Sequence, residues 1–214
     1  EIIHTGYDYD YCVLNSICTQ GNFDIVKYLI EKQNVSPSKN GSTVSCACFS
    51  GNLKLVKYLI EKQNAPFNYF NKNYHKKVSD NDMTYRLDKS TLSSAVQSNN
   101  LNVVEYLIKN KNHSVSEHDF LAFRVALIES TKIYEYFFQY PEFINYLDNN
   151  YQSIFNEVIC KIHYFGERNY KNLLENQFKI AKKIMEHYPV KIEKIITTNN
   201  NPKLIELLEK NFIF

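Results

Sequence analysis

Five cysteines, six histidines and the carboxylate pair Asp80 and Asp82 are side chains of this 214-residue chain that could do chemistry. Cys46 and Cys48 stand two apart, as in half of a zinc or redox site. A zinc site needs a second ligand pair at similar spacing, and neither cysteines nor histidines supply one. Alternate residues of a helix also point about 200° apart, the wrong geometry for sharing an ion. Cys12, Cys18 and Cys160 read as small core or turn residues. Histidines 4, 75, 113, 118, 163 and 187 are scattered, and nothing in their spacing selects a partner for a nucleophile. Asp80 and Asp82 could open a cation loop, but its remaining ligands are missing. With 5 glycines there is no phosphate-cradling loop. These residues therefore predict no catalytic group, no metal and no cofactor, and no enzyme.

The bulk composition narrows the partners. Lys and Arg number 25 against 23 Asp and Glu, for a net charge of +2, too little to gather nucleic acid or an anionic membrane. No apolar run approaches the roughly 18–20 residues that cross a bilayer. An odd number of cysteines without disulfide spacing points to reduced thiols and a cytoplasmic setting. The first residues do not form a signal peptide, and the start on Glu1 instead of Met points to an excerpt from a longer chain. Heavy use of Asn, Lys, Ile, Tyr and Phe, with no Trp, suggests an AT-rich genome such as that of a protist or a large DNA virus. Gly and Pro number 5 each, which favours long helices over many short strands.

The elements that would position any site repeat themselves. Residues 21–34, Gly-Asn-Phe-Asp-Ile-Val-Lys-Tyr-Leu-Ile-Glu-Lys-Gln-Asn, return at 51–64, and the last nine of each copy from Val26 and Val56 are identical. A third copy lies at 99–112, a weaker fourth at 129–138, and traces at 178–185 and from Pro202. Leu55, Val56, Leu59 and Ile60 form one apolar stripe, which predicts an amphipathic helix. A shorter helix of small residues precedes each copy, as in Thr43-Val44-Ser45-Cys46-Ala47-Cys48. One helix pair cannot hide its apolar face, but stacked neighbours can.

In these residues the chain resembles the ankyrin-repeat family. Gly21-Asn22 and Gly51-Asn52 match that unit's inter-helix turn, and Ala47 and Ala95 match its inner-helix alanine. Ser42 and Ser90 stand at its capping threonine. The Pro and His of the family motif are absent: Val13 and Asn15 stand there in the first copy, Thr43 and Ser45 in the second. Gln33-Asn34 and Gln63-Asn64 replace the glycine that ends the outer helix, and Asn is the next best residue for a left-handed cap. The unit of 30 is short, so the finger between Asn34 and Ser42 is clipped. The resemblance is strong over 12–112, moderate to 140 and weak beyond.

The resemblance implies an all-α, ankyrin-like α-solenoid of about six helix-pair repeats with short β-turn fingers. Residues 1–112 would hold three recognisable repeats with an insert at 65–89, and 113–214 would continue the solenoid as degenerate pairs, with a lengthened turn at 163–172. The implied function is protein–protein interaction on the concave inner-helix and finger face, as a scaffold. No nucleic acid, membrane or small-molecule substrate enters. The alternative is a substrate-recruiting or regulatory arm of a larger protein such as a ubiquitin-ligase adaptor or kinase. Carried over by position, the partner-binding residues are Tyr11, Thr19, Gln20, Phe49, Ser50, Lys89 and Gln97. The insert adds Tyr74, Tyr85 and Arg86, because a long finger with aromatics and Arg has the composition of a binding hot spot.

Overall fold

The structure is a computed structural model that describes residues 9–39, 41–71, 75–77, 84–86, 89–129, 131–190 and 201–212. It divides into two compact units, Glu1–Ala122 and Phe123–Phe214. As the sequence predicts, helices dominate.

Three helix pairs build the first unit: α1 (Tyr9–Thr19) with α2 (Phe23–Gln33), α3 (Ser42–Ser50) with α4 (Leu53–Lys57), and α5 (Thr91–Gln97) with α6 (Leu101–Glu105). A wider π-helical turn prolongs α4 over Tyr58–Lys62 and α6 over Tyr106–Asn110. The inner helices stack in order, α1 on α3 and α3 on α5. Small side chains permit that approach: Val44, Ala47, Cys48, Ala95 and Val96 are fully buried. The outer helices turn Val26, Leu55, Val56, Val103 and Val104 inward. Each such side chain contributes about 1.5–3 kcal/mol by leaving water.

The turns follow from residue type. Gly21 and Gly51 close the inner helices at φ 73 and 72, and Asn99 takes the same left-handed conformation at φ 55 in the third copy. Asn34, Asn64 and Asn112 end the outer helices at φ 55, 49 and 56, the cap expected of Asn where the family carries Gly. Ser90 caps α5 in a reciprocal capping box with Ser93. Ser42 does not cap α3: Gly41 at φ 79 occupies that place, and the Thr43 amide donates to Ser38 Oγ at 3.0 Å. Sequence position alone could not show that the clipped finger folds Ser38 back over the helix end.

The insert is a β-hairpin. Strands β1 (Phe70–Asn71) and β4 (Lys89–Ser90) pair antiparallel, Phe70 opposite Ser90. Beyond them β2 (His75–Lys77) and β3 (Thr84–Arg86) pair with Lys76 opposite Tyr85, and the register steps by one residue between the two ladders. The clipped finger at 35–39 carries no strand.

Helix α7 (Glu117–Glu129) carries the boundary between the units. The second unit adds α8 (Thr131–Phe137), α9 (Pro141–Glu167), α10 (Lys171–His187) and α11 (Pro202–Phe212). An aromatic cluster of Phe123, Tyr134, Phe137 and Phe143 is fully or almost fully buried there. The lengthened turn expected at 163–172 is absent, because α9 runs unbroken to Glu167. Gly166 is buried inside that helix, where a Cβ would run into Leu207 of α11. Gly166 thus sits within the helix without breaking it. Phe212 folds back to 5.6 Å from Phe178 of α10.

Candidate partner-binding face

Stacking α1, α3 and α5 brings their C-terminal ends into one row. Thr19 and Gln20 are exposed there, and Phe49 and Gln97 are half-buried at equivalent places. The Thr19 hydroxyl donates to its own helix at Asn15 O, 2.9 Å. The Ser50 hydroxyl donates to Ala47 O at 2.7 Å and accepts from Asn52 N at 3.2 Å, so it closes the turn. Ser98 does the same with Ala95 O and Asn100 N. Tyr11 is carried by α1, Tyr85 and Arg86 by β3, and Lys89 by β4. Tyr74 lies outside the described residues.

What holds this row rigid is a set of inter-repeat bonds that sequence reasoning missed. Asn52 works twice: its Oδ1 caps α4 by accepting from Leu55 N at 3.1 Å, and its Nδ2 donates to Gly21 O of the preceding repeat at 2.9 Å. Asn100 repeats this, accepting from Asn102 N at 3.1 Å and donating to Gly51 O at 2.8 Å. Between inner helices, Asn15 accepts from Thr43 Oγ1 at 2.7 Å, and Ser45 and Ser94 join hydroxyls at 2.7 Å. Asn15 and Ser45, at the place of the motif's absent His, thus each link neighbouring inner helices.

The outer helices carry a second ladder. Tyr58 Oη donates to Glu31 at 3.1 Å, and Tyr106 Oη to Glu61 at 2.7 Å. Gln33 and Gln63 each donate to the tyrosine of their own copy at 3.0 Å. Burial, and then the bond to glutamate, raises both the Tyr58 and Tyr106 phenols above the usual range. The only sequence signal for this lattice was the sameness of the copies.

The root of the hairpin is bolted to the scaffold. Thr91 Oγ1 donates to Phe67 O, and Tyr69 O accepts from Thr91 N at 3.0 Å. The Phe67 ring meets His113 edge-on at 5.7 Å between centroids, and Phe70 stacks flat on His118 at 3.8 Å. His113 is buried with Nδ1 3.0 Å from both Glu117 oxygens, so Nδ1 carries the proton and donates.

The arrangement offers contact surface more than reactive groups. Burial, reinforced by Cys46, pushes the Cys18 thiol up to about 12, away from the thiolate that a nucleophile or metal ligand needs. Burial raises Cys48 likewise. Among the described residues, no group of three His, Cys, Asp or Glu could hold a metal ion. No helix among them is long and apolar enough to cross a membrane.

The family model described as ankyrin repeats, in three copies, matches residues 1–71. No curated protein and no solved structure shows a significant match. The pair α5–α6 lies beyond the matched segment, yet Asn100, Ser98, Asn99 and Tyr106 repeat the contacts and turns of the pair before it.

Proposed function

Because the chain carries ankyrin repeats over residues 1–71, generally protein–protein interaction modules, we propose that it binds a protein partner on the row of inner-helix ends together with the hairpin finger. The observation that carries this reading is the division of labour in the repeat. Among the shared residues, Val26, Val56, Ile30 and Ile60 are buried and Asn52 and Asn100 bridge repeats, whereas the positions that differ between copies, Thr19, Phe49 and Gln97, line up at one end of the inner helices. Variable side chains on an invariant, hydrogen-bonded frame are how a repeat scaffold reads a partner. Tyr11, Gln20, Ser50, Tyr74, Tyr85, Arg86 and Lys89 belong to the same proposed face. Phe49 is its aromatic anchor, since aromatic side chains supply much area at low entropy cost. The scaffold role, the cytoplasmic setting, and the reading of 113–214 as degenerate pairs of the same series belong to this proposal. The last is supported by the fourth copy forming α8, with the 27-residue α9 as the departure.

The test is affinity capture with the full chain, followed by Phe49→Ala and Gln97→Ala and by removal of 72–88. That deletion spares the Phe67, Tyr69 and Thr91 bonds at the hairpin root. Lost capture with unchanged far-ultraviolet circular dichroism supports the face. Unchanged capture with all three variants places the partner elsewhere and overturns it.

A further inference from the structure

The first repeat leaves open the face that its successors bury. In the stack, each outer helix packs back on the copy before it. Tyr58 Oη donates to Glu31, Lys54 Nζ lies 4.0 Å from the centre of the Phe23 ring, and the Phe23 and Tyr58 rings meet edge-on at 5.4 Å. Positions 54 and 58 thus face the preceding copy, and Leu55 between them is fully buried. The third copy repeats this with Val103 and Tyr106. The equivalents in the first copy, 30 residues back, are Asp24, Ile25 and Tyr28 of α2. There the burial is reversed: Ile25 is 45% exposed and Tyr28 55%, against 0% for Leu55 and 9% for Tyr58. Val13 of α1 is 53% exposed, whereas its equivalents Thr43 and Thr91 are fully buried. Val13, Ile25 and Tyr28 are three of the five large exposed hydrophobics among the described residues, so they form a patch and not a scatter.

The polar groups of the face say what covers it. Tyr28 Oη accepts from Gln33 at 3.0 Å, as Tyr58 Oη does from Gln63, but among the described residues no carboxylate takes its own proton. Asp24 is exposed and stands where the next copy has Lys54. A preceding copy like the first would set that carboxylate over an aromatic face, whose quadrupole repels an anion. The face carries instead both halves of a ladder rung, a phenol donor and a carboxylate, four residues apart on one side of α2. Two such helices crossing antiparallel bring each Tyr28 opposite the other's Asp24, so a single pairing makes two rungs. Ile25 lies between the rungs and meets Ile25 of the second copy across the twofold axis.

We propose that this face pairs with the same face of a second copy of the chain, forming a twofold dimer through α2. Ile25 and Val13 supply apolar area, and the Tyr28–Asp24 rungs fix the register. The dimer uses the open end of the stack and not the row of inner-helix ends, so it does not rest on the partner-binding reading.

Sedimentation equilibrium of the full chain between about 5 and 200 µM reads the association. The expected result is a monomer–dimer equilibrium without larger species, because one pairing uses up a self-complementary face. Ile25→Glu sets like charges across the axis and should weaken the dimer by at least about ten-fold. Tyr28→Phe and Asp24→Ala should each weaken it about ten-fold, since each removes both rungs. The double variant should weaken it no further than either single variant, which separates one shared bond from two independent effects. Far-ultraviolet circular dichroism checks that the variants fold, as changes at exposed positions allow. A monomer at every concentration overturns the proposal and leaves the face to a different protein. A dimer that Ile25→Glu leaves intact overturns it as well, because association then uses another surface, and growth beyond the dimer does the same. Additive losses from Tyr28→Phe and Asp24→Ala overturn the rungs. Phe49→Ala should leave the dimer unchanged while lowering capture of the natural partner. Failure of the dimer is thus read separately from failure of the inner-helix row.

Discussion

The double duty of the turn asparagines gives the sharpest test of how the frame is held. Asn22, Asn52 and Asn100 each cap an outer helix, and among the described residues Asn52 and Asn100 also donate to the glycine carbonyl of the repeat before them. Replacing an N-cap Asn by Ala costs about 1 kcal/mol. Removing a partly buried amide–carbonyl bond costs about 1 kcal/mol more. Asn22→Ala should therefore destabilise by about 1 kcal/mol, and Asn52→Ala and Asn100→Ala by about 2 kcal/mol each. With a urea m-value of roughly 2 kcal/mol/M, midpoints read at 222 nm should fall by about 0.5 M for Asn22→Ala and by about 1 M for the others. Aspartate separates the two jobs, because it keeps the cap oxygen and loses the amide donor. Asn22→Asp should be neutral or slightly stabilising beside a helix N-terminus, and Asn52→Asp should lose at least the inter-repeat share. Three equal midpoint shifts in the alanine series would refute the reasoning, since the bonds to Gly21 and Gly51 would then contribute nothing.

Four further outcomes follow from the same structure. Gly21→Ala, at φ 73 with its Cβ 3.2 Å from the Ser50 side chain, should lower stability by about 1–2 kcal/mol. Asn34→Gly, at φ 55, should raise it by up to about 1 kcal/mol, and a thermal melt of both variants checks the signs. Tyr134 is almost fully buried with no hydrogen-bond partner for its hydroxyl among the described residues, so Tyr134→Phe should be neutral or stabilising by up to about 1 kcal/mol; a clear loss of urea stability would mean that the hydroxyl is bonded. The raised phenols of Tyr58 and Tyr106 stay protonated where those of the unfolded chain, near pKa 10, ionise. Their contribution is complete below about pH 10 and is lost as pH rises through the folded-state values, so stability should fall above pH 10. Tyr106→Phe should flatten that slope, and an unchanged slope would assign it to other groups.

How much of this could be read from sequence depended on whether the cause was local. Asn34 and Asn64 as left-handed caps, and Ser90 as an N-cap, rest on backbone preferences that travel with the residue, and the structure agrees. Ser42 failed because Ser38, just ahead of it in the clipped finger, turns back to accept from the Thr43 amide. The break expected at 163–172 failed for a related reason. The buried stripe Ile154, Phe155, Val158, Ile159, Ile162 continues through Phe165 at helical spacing, and it outweighs the local breaker signal of Gly166. That glycine answers to Leu207, some forty positions away. Among the proposed binding positions, Thr19, Gln20, Phe49 and Gln97 could be assigned to the inner-helix ends because they inherit the repeat's geometry. The inter-repeat role of Asn52 could not, since its partner Gly21 O comes within reach only once the repeats are stacked.

The duplicated block also explains where its ladder ends. Tyr58 donates to a glutamate one repeat back, and so does Tyr106, which requires Glu at the position three after the tyrosine of the preceding copy. The first two copies have Glu31 and Glu61 there, but the third has Lys109. Lys109 turns back to Glu105 of its own helix at 3.1 Å, and Lys111, standing where the earlier copies have Gln, places its ammonium 5.5 Å from the Tyr106 ring. An ammonium cannot accept a phenol proton, so the third copy is built to receive a rung and not to pass one on. In the fourth copy the equivalent tyrosine, Tyr136, shares a 2.7 Å hydroxyl bond with Tyr140 inside the second unit. Glu31 and Glu61 each meet the same donor, the tyrosine hydroxyl of the following copy. The charge reversal at Lys109 is where the regular ladder stops, close to where the chain passes into the second unit. Lys109→Glu removes the Glu105 pair, so it should leave stability unchanged or slightly reduced. A gain above about 1 kcal/mol would show that this pair does not favour the folded state.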